Sequence, residues 1–122
     1  MVRYRAGLTK TGEVIDFTAG ADISSGAVVV VGSLVGVAIT DVANGAVGPA
    51  SVEGVWELPK VSAAVIGAGE TVNWDVSAGA FDDNQATPAT GDLTDGCVAV
   101  EAAGNGDTTV KVKINVGANT VN

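Results

Sequence analysis

The residue types that most often carry out protein chemistry are sparse in this chain of 122 residues. It contains no histidine, so it lacks the commonest general base and metal ligand. Its single cysteine, Cys97, stands in an apolar run. Without a histidine it cannot form a Cys–His nucleophile, and without a second cysteine it cannot form an internal disulfide or a CxxC motif. The Gly-Xaa-Ser-Xaa-Gly motif of a hydrolase nucleophile is also absent. We therefore predict no catalytic residues and no enzymatic activity.

Two kinds of short motif come closest to a cofactor site, and both are incomplete. Lys10 and Thr11 form the pair that ends a phosphate-binding loop, but Thr9 stands where that loop requires glycine. Residues 82–84 (Asp-Asp-Asn) and 92–96 could offer oxygen ligands to Ca²⁺, yet they lack the alternating ligand positions and the closing glutamate. Clusters of Asp and Asn beside Gly ordinarily form turns. We predict no cofactor and no metal.

The charge of the chain is strongly negative and unevenly distributed. The net charge of -8 argues against a nucleic-acid partner, because neutralising phosphates requires Lys and Arg. Residues 1–12 carry Arg3, Arg5 and Lys10 and no carboxylate, while all fourteen acidic residues lie beyond them. This imbalance predicts an N-terminal arm that contacts something acidic, such as a neighbouring subunit. A solvated, frayed terminus explains the same residues equally well.

The elements that would position these residues are predicted to be β-strands. Short apolar runs alternate with Gly, Asn, Asp and Ser clusters at roughly the 8–12-residue spacing typical of antiparallel proteins. No segment offers three turns of helical periodicity with caps. The predicted strands cover residues 13–18, 27–31, 34–40, 51–58 with a bulge near Gly54, 71–75, 97–101 and 108–116.

The predicted fold is all-β, a small β-barrel or β-sandwich of short antiparallel strands. Residues 1–12 form an arm, 13–116 a single β domain and 117–122 a C-terminal tail. Residues 76–95 lack apolar periodicity and are predicted to be a long surface loop. Both Trp56 and Trp74 stand on strands, where a large aromatic residue is usually core, although either could be an interface anchor. Pro59 ends a strand and would project Lys60 into a loop or an edge.

An internal repeat is one interpretation of the pattern. Residues 34–39, an Asn44-Gly45 turn and residues 51–58 resemble residues 97–101, an Asn105-Gly106 turn and residues 108–116. Each set follows a strand led by glycine, at Gly26 and at Gly69. The alternative is that a β-protein uses Asn-Gly turns freely without any repeat.

Several features bear on location and assembly. Arg3, Arg5 and Lys10 interrupt any apolar signal-peptide core, and no apolar stretch approaches the roughly 20 residues of a membrane span. We expect a protein made in the cytoplasm, with no membrane partner. Charged residues make up only 16% of the chain, against about 25% in typical soluble domains. Burying part of that surface in an assembly is one answer.

In their order and spacing, the segments of this chain resemble one family, the capsid cement (head decoration) proteins of tailed bacteriophages. The matching segments are ADISSG at 21–26, the Val-rich run up to Gly32, LVGVA at 34–38, TDVANG at 40–45, VEGVWELPK at 52–60, GETVNWD at 69–75, GCVAV at 96–100 and VKV at 110–112. Such sequences are often labelled predicted recombinases. This chain does not support that label, because it lacks a nucleotide site and a basic face for DNA.

The resemblance implies a structural virion protein that binds the outer surface of a phage capsid and stabilises the lattice of major capsid subunits. It implies the major capsid protein and further copies of itself, as a homotrimer, as partners. We place the capsid interface at the arm and at one strand, with the residues Arg3, Tyr4, Arg5, Lys10, Trp56 and Lys60. The alternative is a surface module that recognises carbohydrate or a host protein through residues 76–95.

Overall fold

The structure, a computed structural model, describes residues 12–84 and 86–122. These residues form ten short strands and no helix, so within them no helix could cross a membrane. The all-β prediction is confirmed. The strands are β1 (Val14–Thr18), β2 (Val28–Val31), β3 (Leu34–Ala38), β4 (Val47–Ser51), β5 (Val55–Pro59), β6 (Thr71–Asp75), β7 (Ala80–Asp82), β8 (Leu93–Ala99), β9 (Thr109–Lys113) and β10 (Thr120–Val121).

The strands form two antiparallel sheets. The first has the order β1-β4-β3-β2. The second has the order β5-β9-β8-β6-β7, and β10 pairs with one end of β8. A parallel bridge between Lys60 and Phe81 brings β7 next to the end of β5, so the second sheet curls back towards its first strand.

The two sheets are built to one plan. We define unit 1 as residues 13–51, which hold β1 to β4, and unit 2 as residues 55–113, which hold β5 to β9. Strands β1, β2, β3 and β4 correspond to β5, β6, β8 and β9, since the sheet orders β1-β4-β3-β2 and β5-β9-β8-β6 are then identical. The β1–β4 ladder runs over five residue pairs, and so does the β5–β9 ladder.

Backbone hydrogen bonds outside the strands repeat in the same way. Ile23 and Val42 exchange two N–H···O bonds of 2.8 Å, and Ile66 and Ala103 exchange two of 2.8 and 2.9 Å. The Gly26 N–H donates to the Ala38 carbonyl at 2.7 Å, as the Gly69 N–H does to Ala99. The repeat hypothesis is therefore supported, with Gly26 and Gly69 in equivalent places.

The sequence interpretation of this repeat contains one error. Residues 51–58 are not one bulged strand: β4 ends at Ser51, and β5 begins at Val55 in the other sheet. Between them Gly54 has a φ of +107°, a left-handed conformation that glycine tolerates and other residues avoid. The slip in alternation near Gly54 therefore marks a crossing between sheets, and the partner of β3 is β4.

Two further segments differ from the prediction. Residues 76–95 are not a continuous surface loop, because they contain β7 and the beginning of β8, and both Phe81 and Leu93 are fully buried. Residues 117–122 are not a free tail, because β10 pairs with β8 and Asn119 is buried. Strands β7 and β10 were not predicted because they consist of three and two residues, which is too short to show alternation, and lie among polar and small residues.

Strand β3 connects the two units. Its Val35 and Val37 belong to the main buried cluster, which is otherwise formed by unit 2 and Ile114. On the other side, Ala38 belongs to a smaller cluster in unit 1 with Phe17 and Ala50. A strand buried on both faces must be continuously apolar, which explains the uninterrupted LVGVA run.

Polar contacts between the C-terminal segment and unit 1 reinforce this connection. The Asn115 side chain donates from Nδ2 to the carbonyls of Val35 and Val52, at 2.7 and 2.8 Å, and accepts from the Val35 N–H at 3.0 Å. Asn119 donates from Nδ2 to the Ser33 carbonyl at 2.8 Å and to Asn115 Oδ1 at 3.0 Å. We call Asn115 and Asn119 the asparagine clamp.

We predict that Asn115→Ala lowers the free energy of unfolding by about 3 kcal/mol, because it leaves partly buried backbone groups of Val35 and Val52 unpaired. Part of the loss is strain, since Asn115 has a φ of +52° that alanine adopts poorly. Asn115→Gly should therefore lose less than Asn115→Ala. Urea denaturation measures both changes. Asn105→Ala, at an exposed turn, is the control; equal stability of the Asn115→Ala and control variants would contradict the role of the clamp.

Candidate functional site

The carboxylates of the described residues act mainly as turn formers. Asp22 accepts from the Asn44 N–H at 2.9 Å and Asp41 from the Ser25 N–H at 2.8 Å. The Asp75 carboxylate accepts from the Ser77 hydroxyl and from two backbone N–H groups, and these bonds hold its pKa below the ordinary value. No group of three His, Cys, Asp or Glu side chains in residues 12–84 and 86–122 is arranged to hold a metal ion.

The acidic residues considered for Ca²⁺ are used in the same structural way. Asp92 is buried and accepts from the N–H groups of Val76 and Ala89, at 3.2 and 3.0 Å. Asp83 accepts from the Val65 N–H at 2.9 Å. Desolvation is the main cause that raises the pKa of Asp82; the backbone N–H of Asp83 opposes this rise, and the Asp83 carboxyl adds to it. These carboxylates hold the chain between β6 and β8 in place.

Cys97 is packed in the core and is chemically protected. It is 1% exposed, and its Sγ lies 3.6 Å from Asn119 Oδ1. Burial raises the pKa of the thiol, which disfavours the reactive thiolate. Gly96 beside it has no room for a side chain, because a Cβ would lie 2.4 Å from the Asn119 oxygen. The cysteine therefore serves packing next to the asparagine clamp.

Trp56 lies half-buried on β5 at the edge of a shallow concavity of about 440 Å³. Its indole N–H donates to the Glu53 carbonyl at 2.9 Å, which fixes the ring against Gly54. Glu13, Val14 and Ile39 form much of the remaining wall. Glu13 and Val14 are where the chain enters β1, so the ring lies beside the N-terminal end of the described residues.

Lys60 directly follows the end of β5 at Pro59, where a loop or an edge was predicted, but its side chain is buried. It is 4% exposed, and its Nζ donates to the carbonyls of Val61, Ser62 and Asp107 at 2.7, 3.1 and 3.0 Å. All three ammonium protons are thus used inside the protomer, where they join two loops of unit 2. A contact of Lys60 with a partner would require these bonds to be exchanged.

Of the six predicted interface residues, Arg3, Tyr4, Arg5 and Lys10 lie outside the described residues. The structure places Trp56 beside Glu13 and Val14, which follow the predicted arm in sequence, and separates it from Lys60, which follows the opposite end of β5. The concavity combines the half-buried Trp56 ring with apolar Val14 and Ile39 and with the carboxylates of Glu13 and Glu53.

A second concavity was missed by the sequence analysis. A cleft of about 520 Å³ lies in unit 1 between its two edge strands. Its wall consists of residues 16–21, Ile23, all of β2 and Val47. We call it the β1/β2 cleft. The predicted strand at 27–31 is uniformly apolar and carries no sign of a cleft; the structure shows that Val30 within it is 42% exposed.

We predict that Lys60→Met lowers the free energy of unfolding by about 2–3 kcal/mol, because three inward-facing carbonyls lose a charged donor. Lys113→Met, at an exposed position of β9, is the matched control and should change stability by less than about 0.5 kcal/mol. Thermal and urea unfolding of the two variants provide the comparison. If Lys60→Met keeps full stability, the ammonium is not holding the loops together.

One comparison with known proteins identifies a family. The model of the phage cement protein family matches residues 9–114 of the chain, which include both units and the concavity at Trp56. A comparison with curated proteins returns no match.

Proposed function

The chain belongs to the phage cement protein family, a family of structural phage proteins, and on this basis we propose that it binds the outer surface of a phage capsid and stabilises the lattice of major capsid subunits. The observation that carries the proposal is the extent of the match, residues 9–114, which covers both units. In this proposal the chain is not an enzyme. Its partners are the major capsid protein and further copies of itself, as a homotrimer, without nucleic acid or membrane.

The architecture suits a protein that holds capsid subunits together under mechanical load. The two units share a buried strand and the asparagine clamp, so a load applied to one unit is transmitted to the other through packed side chains and hydrogen bonds. Many copies, made in the host cytoplasm and bound to one capsid, can be held by modest individual contacts because linked contacts multiply. The protein would then remain on the outer surface of the virion.

The surface that we propose for attachment combines the Trp56 concavity with the N-terminal arm. Arg3, Arg5 and Lys10 supply cations and Tyr4 an aromatic side chain, next to a body that is otherwise acidic. An extended arm can add a strand to an exposed sheet edge of the capsid, with backbone hydrogen bonds providing affinity. Trp56 would then be an aromatic anchor next to the root of the arm. Lys60 contributes to this surface only by stabilising unit 2.

The alternative, recognition of carbohydrate or a host protein through residues 76–95, has less support. Phe81 and Leu93 are fully buried and Asp92 is buried, so a large part of this segment is used for the core. A glycan array and a host-surface pull-down distinguish the two functions, since a cement protein should bind capsids alone.

We expect deletion of residues 1–12 to reduce capsid occupancy at least tenfold and to leave the body folded, because β1 begins at Val14. Occupancy is measured by sedimenting heads of the phage that encodes the chain with labelled protein, and folding by circular dichroism. The control is Arg3→Gln with Arg5→Gln, which keeps the length of the arm and removes two charges. Unchanged occupancy after the deletion would remove the arm from the interface.

Trp56→Ala should weaken capsid binding about tenfold, which is the usual effect of removing an aromatic anchor. Trp56→Phe should retain more of the binding because it keeps a ring in the concavity. The same head-sedimentation assay applies, with a urea titration of each variant to separate binding from folding. Wild-type occupancy of the Trp56→Ala variant would place the capsid contact elsewhere.

A further inference from the structure

The two units differ at one structurally important position. In unit 2 the space between β6 and the end of β5 is filled by β7. In unit 1 the equivalent space lies between β2 and β1, where no strand is present in residues 12–84 and 86–122. This space is the β1/β2 cleft of about 520 Å³. The repeat therefore shows what kind of group a cleft in this position holds, namely a short strand.

Strand β7 shows how such a strand is bound. It runs antiparallel to β6, with Phe81 opposite Trp74, and the two rings meet edge-to-face at 5.0 Å. Phe81 is fully buried, and its carbonyl accepts from the Val61 N–H at 2.9 Å. A parallel bridge joins Phe81 to Lys60. One large side chain and a few backbone bonds are thus sufficient to occupy the space.

The equivalent groups in unit 1 line the β1/β2 cleft. When β2 is aligned with β6, Val31 takes the position of Trp74. When β1 is aligned with β5, the two residues after β1, Ala19 and Gly20, take the positions of Lys60 and Val61. All three line the cleft. Within the described part of the chain, the Gly20 N–H makes no backbone hydrogen bond, whereas its counterpart at Val61 binds β7. The outer edge of β2 is also unpaired among those residues.

We propose that the β1/β2 cleft binds the N-terminal arm of a second copy of this chain, with residues 2–6 as a strand antiparallel to β2 and Tyr4 in the place that Phe81 has in unit 2. The arm alternates as a strand with one apolar face should: Val2, Tyr4, Ala6 and Leu8 alternate with Arg3, Arg5, Gly7 and Thr9. Tyr4 is its one aromatic residue and the nearest in size to Phe81.

Charge and length also favour this occupant. The arm carries three cations and no carboxylate, whereas the remainder of the chain carries three cations and fourteen carboxylates. A copy's arm is therefore attracted to another copy's body. Eleven residues precede the described chain, enough to extend away from the body and place residues 2–6 in a neighbour.

The strand direction argues against the arm of the same chain as the occupant of the β1/β2 cleft. A strand that copies β7 runs antiparallel to β2 and parallel to β1, since β7 makes a parallel bridge with the end of β5. An arm that folded back from Gly12 would run antiparallel to β1. It would also leave the body beside Trp56, at the end of β1 opposite to the half that lines the cleft.

This contact gives every copy one donor arm and one acceptor cleft. Such a head-to-tail interface closes into a ring or continues as a chain of copies. The inference goes beyond the proposed capsid binding and does not depend on it. If both hold, residues 2–6 fill a neighbour's cleft instead of pairing with a capsid sheet, and the arm supports attachment by linking neighbouring copies, whose avidity adds to each capsid contact.

The test is disulfide trapping in solution without capsids. In the register of β7, the position of Arg5 faces Val30, as Asp82 faces Asn73. Chains carrying Arg5→Cys are mixed with chains carrying Val30→Cys under mild oxidation, and we expect the mixed disulfide dimer to form at least tenfold faster than with Val116→Cys as partner. Val116 is exposed outside the cleft, and native Cys97 is buried in all variants.

Light scattering of single variants completes the test. The wild-type chain should associate, and Tyr4→Ala or Val30→Lys should reduce association at least tenfold, while Val116→Lys should not. Three results overturn the proposal: absence of both association and mixed disulfide, association unchanged by Tyr4→Ala, or a disulfide formed within single chains carrying both cysteines. The last result would identify the chain's own arm as the occupant. These experiments contain no capsid, so none of the three results bears on the proposed capsid binding, which the head-occupancy measurements test separately.

Discussion

The structure depends on the burial of β3 between the two units. Val35 and Val37 pack into unit 2, while Gly36 and Ala38 face unit 1. Gly36 allows close packing there, because a Cβ would stand 3.1 Å from Ala50 and 3.2 Å from Val29 and these neighbours would have to shift. Without this strand, each unit would expose one apolar face. The asparagine clamp then fixes the position of β3 relative to the C-terminal segment, because buried backbone groups of Val35 find partners only in that arrangement.

Comparison of the two units shows which sheet edge is filled by a strand and which is left unpaired among the described residues. In unit 2 an inserted segment, residues 76–92, provides β7 and fills the edge of the sheet. Unit 1 has only the Gly32-Ser33 turn at the corresponding place and retains a cleft between edge strands. Unpaired strand edges promote aggregation of an isolated protein, whereas in an assembly they can pair with strands of partner subunits. A family of structural phage proteins makes use of assembly, so an open edge is consistent with membership in it.

The candidate site was only partly predictable. Trp56 could be singled out from its residue type and strand position, and the structure places it beside Glu13 and Val14 at the beginning of β1. Lys60 was expected in a loop or at an edge because it follows Pro59, but its side chain is buried, and its ammonium binds the carbonyls of the adjacent Val61 and Ser62 and of Asp107, which is far away in the chain. The β1/β2 cleft could not be identified from the Val28–Val31 run, since the sequence does not show which strand edges remain without partners.

The sequence by itself determined the all-β class, the absence of histidine chemistry, the charge imbalance between arm and body, and the family resemblance. These properties depend on composition and on local periodicity, which act over a few residues. Only the tertiary structure decided that residues 51–58 cross between sheets at Gly54, that residues 80–82 form a strand, and that Lys60 and Asn119 are buried. Each of these depends on contacts between residues far apart in the chain, and those contacts decide which edges are filled and which polar groups find partners.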